Sequence, residues 1–146
     1  MPHHIEIDQS GRTDRFNEDT ALALSDGVQH VILLSAAVKR ECYHKLRAQK
    51  MSKKLAVVRI FAAGLVILLQ DKRGVLDSIC IDLEYVGWES DILPHLLRHL
   101  KLLRRDQIYF ASIGKKSNAH GLAIHTWRGD RKPDKRVSVR ELLRAC

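Results

Sequence analysis

Apolar and polar side chains alternate most clearly in Leu76-Asp77-Ser78-Ile79-Cys80-Ile81-Asp82-Leu83-Glu84-Tyr85. This alternation predicts a β-strand with one buried face, because successive side chains of a strand point to opposite sides of its sheet. If the isoleucines of this segment face the core, Asp82 and Glu84 share the other face with Cys80. The strand is therefore expected to carry two acids on one side.

The same pattern occurs near the start of the chain, in His4-Ile5-Glu6-Ile7-Asp8-Gln9-Ser10-Gly11. If the strand at 4–11 and the strand at 76–85 are neighbours in one sheet, Asp8, Asp82 and Glu84 converge near the carboxyl ends of the two strands. Crowded carboxylates repel one another unless a positive charge lies between them, and a divalent cation with oxygen ligands is the usual solution. These three acids therefore predict a site for Mg²⁺ or Mn²⁺.

The segments between and after these two strands predict further strands in the first quarter of the chain and helices later. Thr20 to Ser25 and Val28 to Ser35 are strands, and Asp26-Gly27 between them is a strong hairpin signal. Helical spacing from Ala36 to Leu69 predicts one long helix or two consecutive ones, with Ser52 as a candidate N-cap of the second. The helical segment is expected to stop at residues 71 to 74.

The second half alternates between helices and strands. The predicted elements are a helix within 92–103 that begins near Pro94, a strand at 107–113, a helix at 115–127 capped by Ser117 or Asn118, a loop at 128–136 and a short helix at 139–143. Three antiparallel strands followed by alternating helix and strand units predict an α/β fold, with a mixed central sheet flanked by helices on both faces. At 146 residues, the chain is expected to form a single domain, 1–146.

The charge balance predicts a polyanionic partner. The chain has 25 Lys and Arg against 17 Asp and Glu, a formal net charge of +8, which favours nucleic acid or an acidic membrane surface. A basic, solvated surface without a specific partner is the alternative. The lysines expected to contact a nucleic-acid backbone lie before the 115–127 helix and at the junction of the two earlier helical segments: Lys115, Lys116, Lys50, Lys53 and Lys54.

The cysteines and the hydropathy of the chain predict its cellular compartment. Three widely spaced cysteines without a Cys-x-x-Cys pair favour a reduced, cytoplasmic protein without a disulfide framework. The first predicted strand begins at once, which predicts that there is no signal peptide. The most apolar segment, 55–69, is shorter than a membrane span and contains Arg59, so it predicts a buried helix and no membrane span. The sequence leaves the oligomeric state open, a homodimer included.

The predicted element order resembles that of the ribonuclease-H-like superfamily, which includes RNase H, Holliday-junction resolvases, transposases and integrases. Asp8-Gln9-Ser10-Gly11 is similar to the first-strand motif of that superfamily, in which an Asp precedes a small residue and a Gly. Ser117-Asn118-Ala119-His120-Gly121-Leu122-Ala123 resembles the final helix of resolvases, where two acids three residues apart precede a small-Leu-Ala run. Here Ser117 and His120 occupy the two acidic positions.

The resemblance implies a divalent-metal-dependent nuclease that hydrolyses phosphodiester bonds of structured nucleic acid. Asp8 corresponds to the first-strand acid, Asp82 or Glu84 to the fourth-strand acid, and His120 to the final-helix ligand or proton carrier. Glu41 is a candidate for the additional acid that RNase H carries in its long helix. Aromatic residues make up only 5% of the chain, which favours recognition by shape and charge over base stacking.

Two other interpretations stay open. The first is a catalytically inactive ribonuclease-H-like module that binds nucleic acid or a protein partner. The second is a nuclease of the restriction-enzyme type, which needs a Glu-x-Lys pair; Glu84 is followed by Tyr85 and Val86, so that pair is missing.

Overall fold

The computed structural model describes residues 3 to 70, 72 and 76 to 146 of the chain. The helix stop expected at residues 71, 73 and 74 lies outside them. Six strands and five α-helices follow one another in the described part, with a short 3-10 helix, Arg105–Gln107, before the fifth strand. In chain order they are β1 (His3–Ser10), β2 (Thr20–Ser25), β3 (His30–Leu34), α1 (Ala36–Ala48), α2 (Lys53–Gln70), β4 (Leu76–Asp82), α3 (Glu89–His99), β5 (Ile108–Ala111), α4 (Asn118–Arg128), β6 (Lys135–Arg136) and α5 (Val139–Ala145).

The strands form one mixed sheet in the order β5-β4-β1-β2-β3-β6. β1, β2 and β3 pair antiparallel, whereas β4 lies parallel to β1 and β5 lies parallel to β4. The predicted mixed sheet with three antiparallel strands at its start is therefore confirmed. The Asp26-Gly27 hairpin between β2 and β3 is confirmed as well, and Gly27 has the positive φ of 88° that such turns require.

Successive side chains of each strand point to opposite faces of the sheet, so they pack into two different layers. Ile5 and Ile7 of β1 and Leu22 and Leu24 of β2 join the main core with α1, α2, α3 and α5. Ala23 of β2 faces the other way, where it packs with Val31 and with Ala123 of α4. The predicted helices on both faces are confirmed, with α4 against β1, β2 and β3 on its own face.

The predicted helical segment from Ala36 to Leu69 is two helices. They are separated at residues 49–52, where Lys50 has a φ of 67°, and Ser52 caps α2 by accepting a hydrogen bond from the Leu55 N–H at 3.2 Å. Most of α2 is buried, so the predicted buried helix is confirmed. Of the helices within the described ranges, none combines the length and apolarity that crossing a bilayer requires.

Several predicted boundaries differ from the structure; β3 and α4, for example, begin two and three residues later than predicted. β4 ends at Asp82 and not at Tyr85. The Leu83 N–H still bonds the Ala111 carbonyl of β5, but the Glu84 N–H turns back to the Asp82 carbonyl at 2.9 Å. α3 begins at Glu89 and ends at His99, earlier at both ends than predicted. β5 is shorter than the predicted strand at 107–113.

The C-terminal region contains a strand that the sequence did not predict. The sequence predicts a loop at residues 128–136, but Lys135 and Arg136 pair parallel with Ile32 and Leu33 of β3. The sequence does not predict this strand, because it has only two residues and lies in a basic segment that contains Pro133. The short helix predicted after it is confirmed as α5, which Ser138 and Glu141 cap reciprocally.

The connection between β1 and β2 is held against the helices by buried polar contacts. The Lys39 ammonium of α1 is completely buried and donates to the carbonyls of Arg12 (3.2 Å) and Arg15 (2.7 Å) and to the Thr20 hydroxyl (2.9 Å). On the other face, the Trp127 indole N–H donates to the Asp19 carbonyl at 2.8 Å. These bonds fix the loop that follows Asp8.

Candidate active site

Asp8 and Asp82 lie side by side on neighbouring parallel strands. Ile7 pairs with Ile81, so the next step along both strands brings the two acids together on the face that α4 covers. Asp8 is only 6% exposed. Burial raises the pKa of Asp8, a hydrogen bond with His120 opposes that rise, and repulsion by Asp82 adds to it. Of the three acids predicted to converge, Asp8 and Asp82 are therefore neighbours.

His120 contacts Asp8 directly. Its Nδ1 lies 2.8 Å from the Asp8 Oδ2, and its side chain is 30% exposed. α4 makes this contact because Ser117 is its N-cap, with a hydroxyl that accepts from the Ala119 N–H at 3.2 Å. The predicted capping by Ser117 is confirmed, and the helix holds one imidazole against one buried carboxylate.

Asp82 is oriented by the connection between β5 and α4. The Ile113 N–H donates to the Asp82 Oδ1 at 2.8 Å. At the other end of the same connection, the Ser117 hydroxyl donates to the Glu6 Oε1 of β1 at 2.9 Å. Residues 112–117 therefore cross β4 on the α4 face, from Asp82 to Glu6. This segment, which we call the crossing loop, carries Lys115 and Lys116.

Glu84 does not continue the carboxylate row, because β4 has ended before it. Its carboxylate lies 3.8 Å from the Arg12 guanidinium, which also bonds the Glu84 carbonyl at 3.4 Å. Arg12 lies in turn over the Tyr85 ring, 4.8 Å from the ring centroid. Glu84 as a metal ligand stays a prediction. Glu41 is exposed on α1, in the helical layer on the opposite face of the sheet from His120.

The donor set suits a hard divalent cation held mainly by oxygen. Within the described ranges, no group of three or more His, Cys, Asp and Glu side chains is arranged to hold a metal ion. The carboxylates of Asp8 and Asp82 are nonetheless neighbours. Asp8 is also buried, and burial disfavours its negative charge. Mg²⁺ commonly uses one or two protein carboxylates and completes its shell with water and substrate phosphate oxygens. The residues present fit that mode of binding.

The five predicted backbone-binding lysines lie in two places. Lys115 and Lys116 are exposed on the crossing loop, next to the carboxylate pair. Lys50, Lys53 and Lys54 are exposed where α1 gives way to α2. The Lys54 ammonium lies 5.2 Å from the Tyr85 ring centroid, on the ring that Arg12 also contacts. Lys54, Lys115 and Lys116 therefore lie near the end of β4.

Three residues near the site escaped the sequence prediction. Glu6 was placed on the right face of β1 but was not expected to bond Ser117. Arg12 follows Gly11 directly, and its only signal in the sequence is this position at the end of a strand. Tyr109 alternates with Ile108 and Phe110 in β5, so its outward orientation was readable from the period of two.

Comparison with known proteins returns no match for this chain among family models, curated proteins or solved structures. What the site does must therefore be inferred from its own residues.

Proposed function

We propose that this protein is a divalent-metal-dependent nuclease that hydrolyses phosphodiester bonds of structured nucleic acid. The observation that carries the proposal is the Asp8–Asp82 pair, with His120 hydrogen-bonded to Asp8. Paired carboxylates beside an imidazole, under basic loops, are a constellation for phosphoryl chemistry. The cofactor we propose is Mg²⁺ or Mn²⁺.

The placement of the three side chains also supports a ribonuclease-H-like fold. The resemblance noted in the sequence calls for acids in the first and fourth strands and a third group in the final helix of the core. Here β1 and β4 are neighbours and α4 lies over β1, an arrangement that supports assigning Asp8, Asp82 and His120 to those three positions. We propose membership of that superfamily on this ground.

Asp8 and Asp82 would hold the cation, which supplies charge neutralisation at the phosphate and a more acidic water when bound. Each carboxylate is oriented by a backbone N–H: Gln9 donates to the Asp8 Oδ1 at 2.8 Å, and Ile113 donates to the Asp82 Oδ1 at 2.8 Å. These bonds hold both side chains without a metal, so little reorganisation is needed on binding.

His120 would move the proton. Its Nδ1 faces the Asp8 carboxylate, and a carboxylate at that nitrogen favours the tautomer with hydrogen on Nδ1. The other ring nitrogen is then available to accept a proton from the attacking water or to return one to the leaving oxygen. The partial exposure of the ring leaves room for that exchange.

The lysines would hold the nucleic-acid backbone on both sides of the acids. Lys115 and Lys116 border Asp82 through the crossing loop, and Lys54 borders Arg12 and Glu84 through Tyr85. The elbow between α1 and α2, residues 49–54, belongs to a segment, 42–70, that contains no acidic residue. Such a surface binds phosphate through charge, with affinity that falls as salt rises.

A non-catalytic nucleic-acid-binding module is the second candidate. It is favoured by the engagement of both Asp8 carboxylate oxygens with His120 and Gln9, and by the absence of a three-ligand group within the residues that the structure describes. In that case the Asp8–His120 pair would only join α4 to the sheet.

The experiment is a cleavage screen of the purified chain over branched DNA, RNA–DNA hybrid and single strands, with Mg²⁺, Mn²⁺ or EDTA. We expect metal-dependent cleavage of at least one substrate. Asp8→Asn and Asp82→Asn should each lower the rate by ~100-fold or more, since metal catalysis contributes several kcal/mol. His120→Ala should lower it less and alter the pH profile.

Glu41→Gln serves as the matched control, because it removes an exposed carboxylate on the opposite layer. It should leave the rate unchanged. Substrate binding without cleavage in any metal, or equal cleavage by wild type and Asp8→Asn, would favour the non-catalytic module.

A further inference from the structure

Tyr109 belongs to the same face of the sheet as the carboxylate pair. In the parallel ladders, Glu6 of β1 pairs with Cys80 of β4, and Cys80 pairs with Tyr109 of β5. Side chains that are paired in this way project from the same face. The row of Asp8 and Asp82 lies two residues further along the strands, about 6.6 Å away at the rise of a parallel strand.

The Tyr109 ring is solvent-accessible although its neighbours in β5 are packed. Ile108 is buried in the main core and Phe110 packs against it from the same side. Tyr109 is 53% exposed, at the end strand of the sheet. In the ladder it lies beside Cys80 of β4, which is buried. The ring is therefore open to solvent at the edge of the sheet, on the face that carries the two acids.

The crossing loop lies between this ring and the carboxylates. It begins after Ala111, contacts Asp82 at Ile113 and reaches Glu6 at Ser117. Lys115 and Lys116 at its middle are exposed. A chain of phosphates that starts at Asp82 and passes over the loop therefore meets two cations and then one exposed aromatic ring, in that order.

We propose that Tyr109 is a stacking platform for one unpaired nucleobase of the nucleic acid whose backbone crosses Lys115 and Lys116. The proposal rests on the proposed function for the identity of the partner, and it adds a substrate class. Aromatic rings bind bases by stacking whatever their sequence, and a base is free to stack only where it is single-stranded, looped or flipped out of a duplex. Tyr109 thus selects nucleic acid that is unpaired beside the cleavage site.

The test measures binding without metal. A labelled single-stranded oligonucleotide, and the same oligonucleotide with abasic sites that keep every phosphate, are titrated with the full chain in EDTA. The variants are Tyr109→Ala and Tyr109→Phe. Leu102→Ala is the matched control, because it also removes an exposed apolar side chain, from the connection between α3 and β5.

We expect Tyr109→Ala to weaken binding of the base-containing strand by about ten-fold, within the range that loss of one stacked base produces. Tyr109→Phe and Leu102→Ala should stay within about two-fold of wild type, and the abasic strand should not distinguish the proteins. The salt dependence should not change in Tyr109→Ala, whereas Lys116→Ala should reduce its slope by about one.

Equal affinity of wild type and Tyr109→Ala for the base-containing strand would overturn the proposal. So would an equal loss on both strands, since that would report a structural effect. A change of oligomeric state in Tyr109→Ala, seen by sedimentation, would instead assign the ring to an interface between copies of this chain.

A second measurement needs no variant. An oligonucleotide that carries a photoreactive halogenated pyrimidine should cross-link to Tyr109 in the wild-type protein, as located by mass spectrometry. Cross-links only elsewhere would contradict the stacking. All these measurements are made without cleavage, so the stacking proposal can hold even if the nuclease proposal fails. If the protein cleaves with metal but Tyr109→Ala binds as wild type does, only the stacking proposal is refuted.

Discussion

Asp8 is a single residue whose buried charge suits cation binding but opposes folding. Its carboxylate is almost completely buried, lies beside another acid, and has its pKa raised by burial. Without a cation, the ionised form costs free energy that the bonds from His120 and Gln9 offset only in part. Buried charges are retained at such expense mainly where function requires them.

Asp8→Asn should therefore stabilise the metal-free protein at neutral pH. The amide keeps an oxygen for the Gln9 N–H and removes the buried charge, so we expect the Tm to rise by about 2–4 °C, the shift that ~1 kcal/mol produces in a chain of this size. Because the raised pKa belongs to the folded state, the wild type gains stability as the pH falls and Asp8 takes up its proton.

The gap between the two proteins should consequently close in acid. Thermal unfolding in EDTA from neutral pH down to pH ~4 measures it. A wild type that is more stable than Asp8→Asn throughout this range would show that the carboxylate supports the fold and does not strain it.

At the scale of elements, the connection between β1 and β2 holds the site in place, and Gly11 is its tightest point. Gly11 has a φ of +73°, and a Cβ there would lie 2.2 Å from the Asp19 carbonyl oxygen and 2.4 Å from the Trp127 Nε1. No side chain fits at this position unless the loop or the end of α4 moves.

Gly11→Ala should thus destabilise the protein by roughly 3 kcal/mol, the scale of strain combined with overpacking. Urea unfolding followed by tryptophan fluorescence measures the change. Gly121→Ala is the matched control: it lies within α4 with nothing within 4 Å of the added Cβ, and it should stabilise the helix by about 0.5–1 kcal/mol. Equal effects of the two substitutions would contradict the close packing at Gly11.

Lys39 anchors the same connection from α1. Burial lowers the pKa of Lys39 to about 8, whereas the unfolded chain keeps a value near 10.4. Between these values the unfolded state binds more protons, so the stability of the wild type should rise with pH by an amount of order 1–3 kcal/mol.

Lys39→Met should abolish that rise. It should also cost about 2 kcal/mol at pH 7, because two carbonyls and the Thr20 hydroxyl lose their buried donor. Urea unfolding at several pH values between 7 and 10.5 tests both effects. Lys45→Met, on the exposed side of the same helix, should behave like wild type, and a pH dependence that survives in Lys39→Met would disprove the assignment.

The sequence was most informative about elements whose pattern repeats. The period of two placed Asp8 and Asp82 on one face, and helical spacing with capping residues found α2, α4 and α5. It failed where a tertiary hydrogen bond ends or creates an element. β4 stops before Glu84 because the backbone of Glu84 turns back to Asp82, and β6 exists only because β3 offers it an edge. The bonds of Lys39 and Ser117 join residues far apart in the chain and leave no local signal.

On the scale of the whole molecule, positive charge surrounds a small acidic centre. The net charge of +8 should draw a polyanion to the surface, where the crossing loop and the elbow between α1 and α2 present exposed lysines. The carboxylate pair would repel the same polyanion unless a cation lies between them. Substrate binding and metal binding should therefore reinforce each other.

The most direct test of the carboxylate pair as a cation site is thermal unfolding against Mn²⁺ concentration, for wild type, Asp8→Asn and Asp82→Asn. A cation that binds only the folded state at about 100 times its Kd stabilises it by ~2.7 kcal/mol, or roughly 5–10 °C here. We predict that rise in the wild type and none in either variant, although Asp8→Asn should start from the higher Tm. A wild-type Tm that does not respond to Mn²⁺, or one that rises equally in all three proteins, would contradict the account.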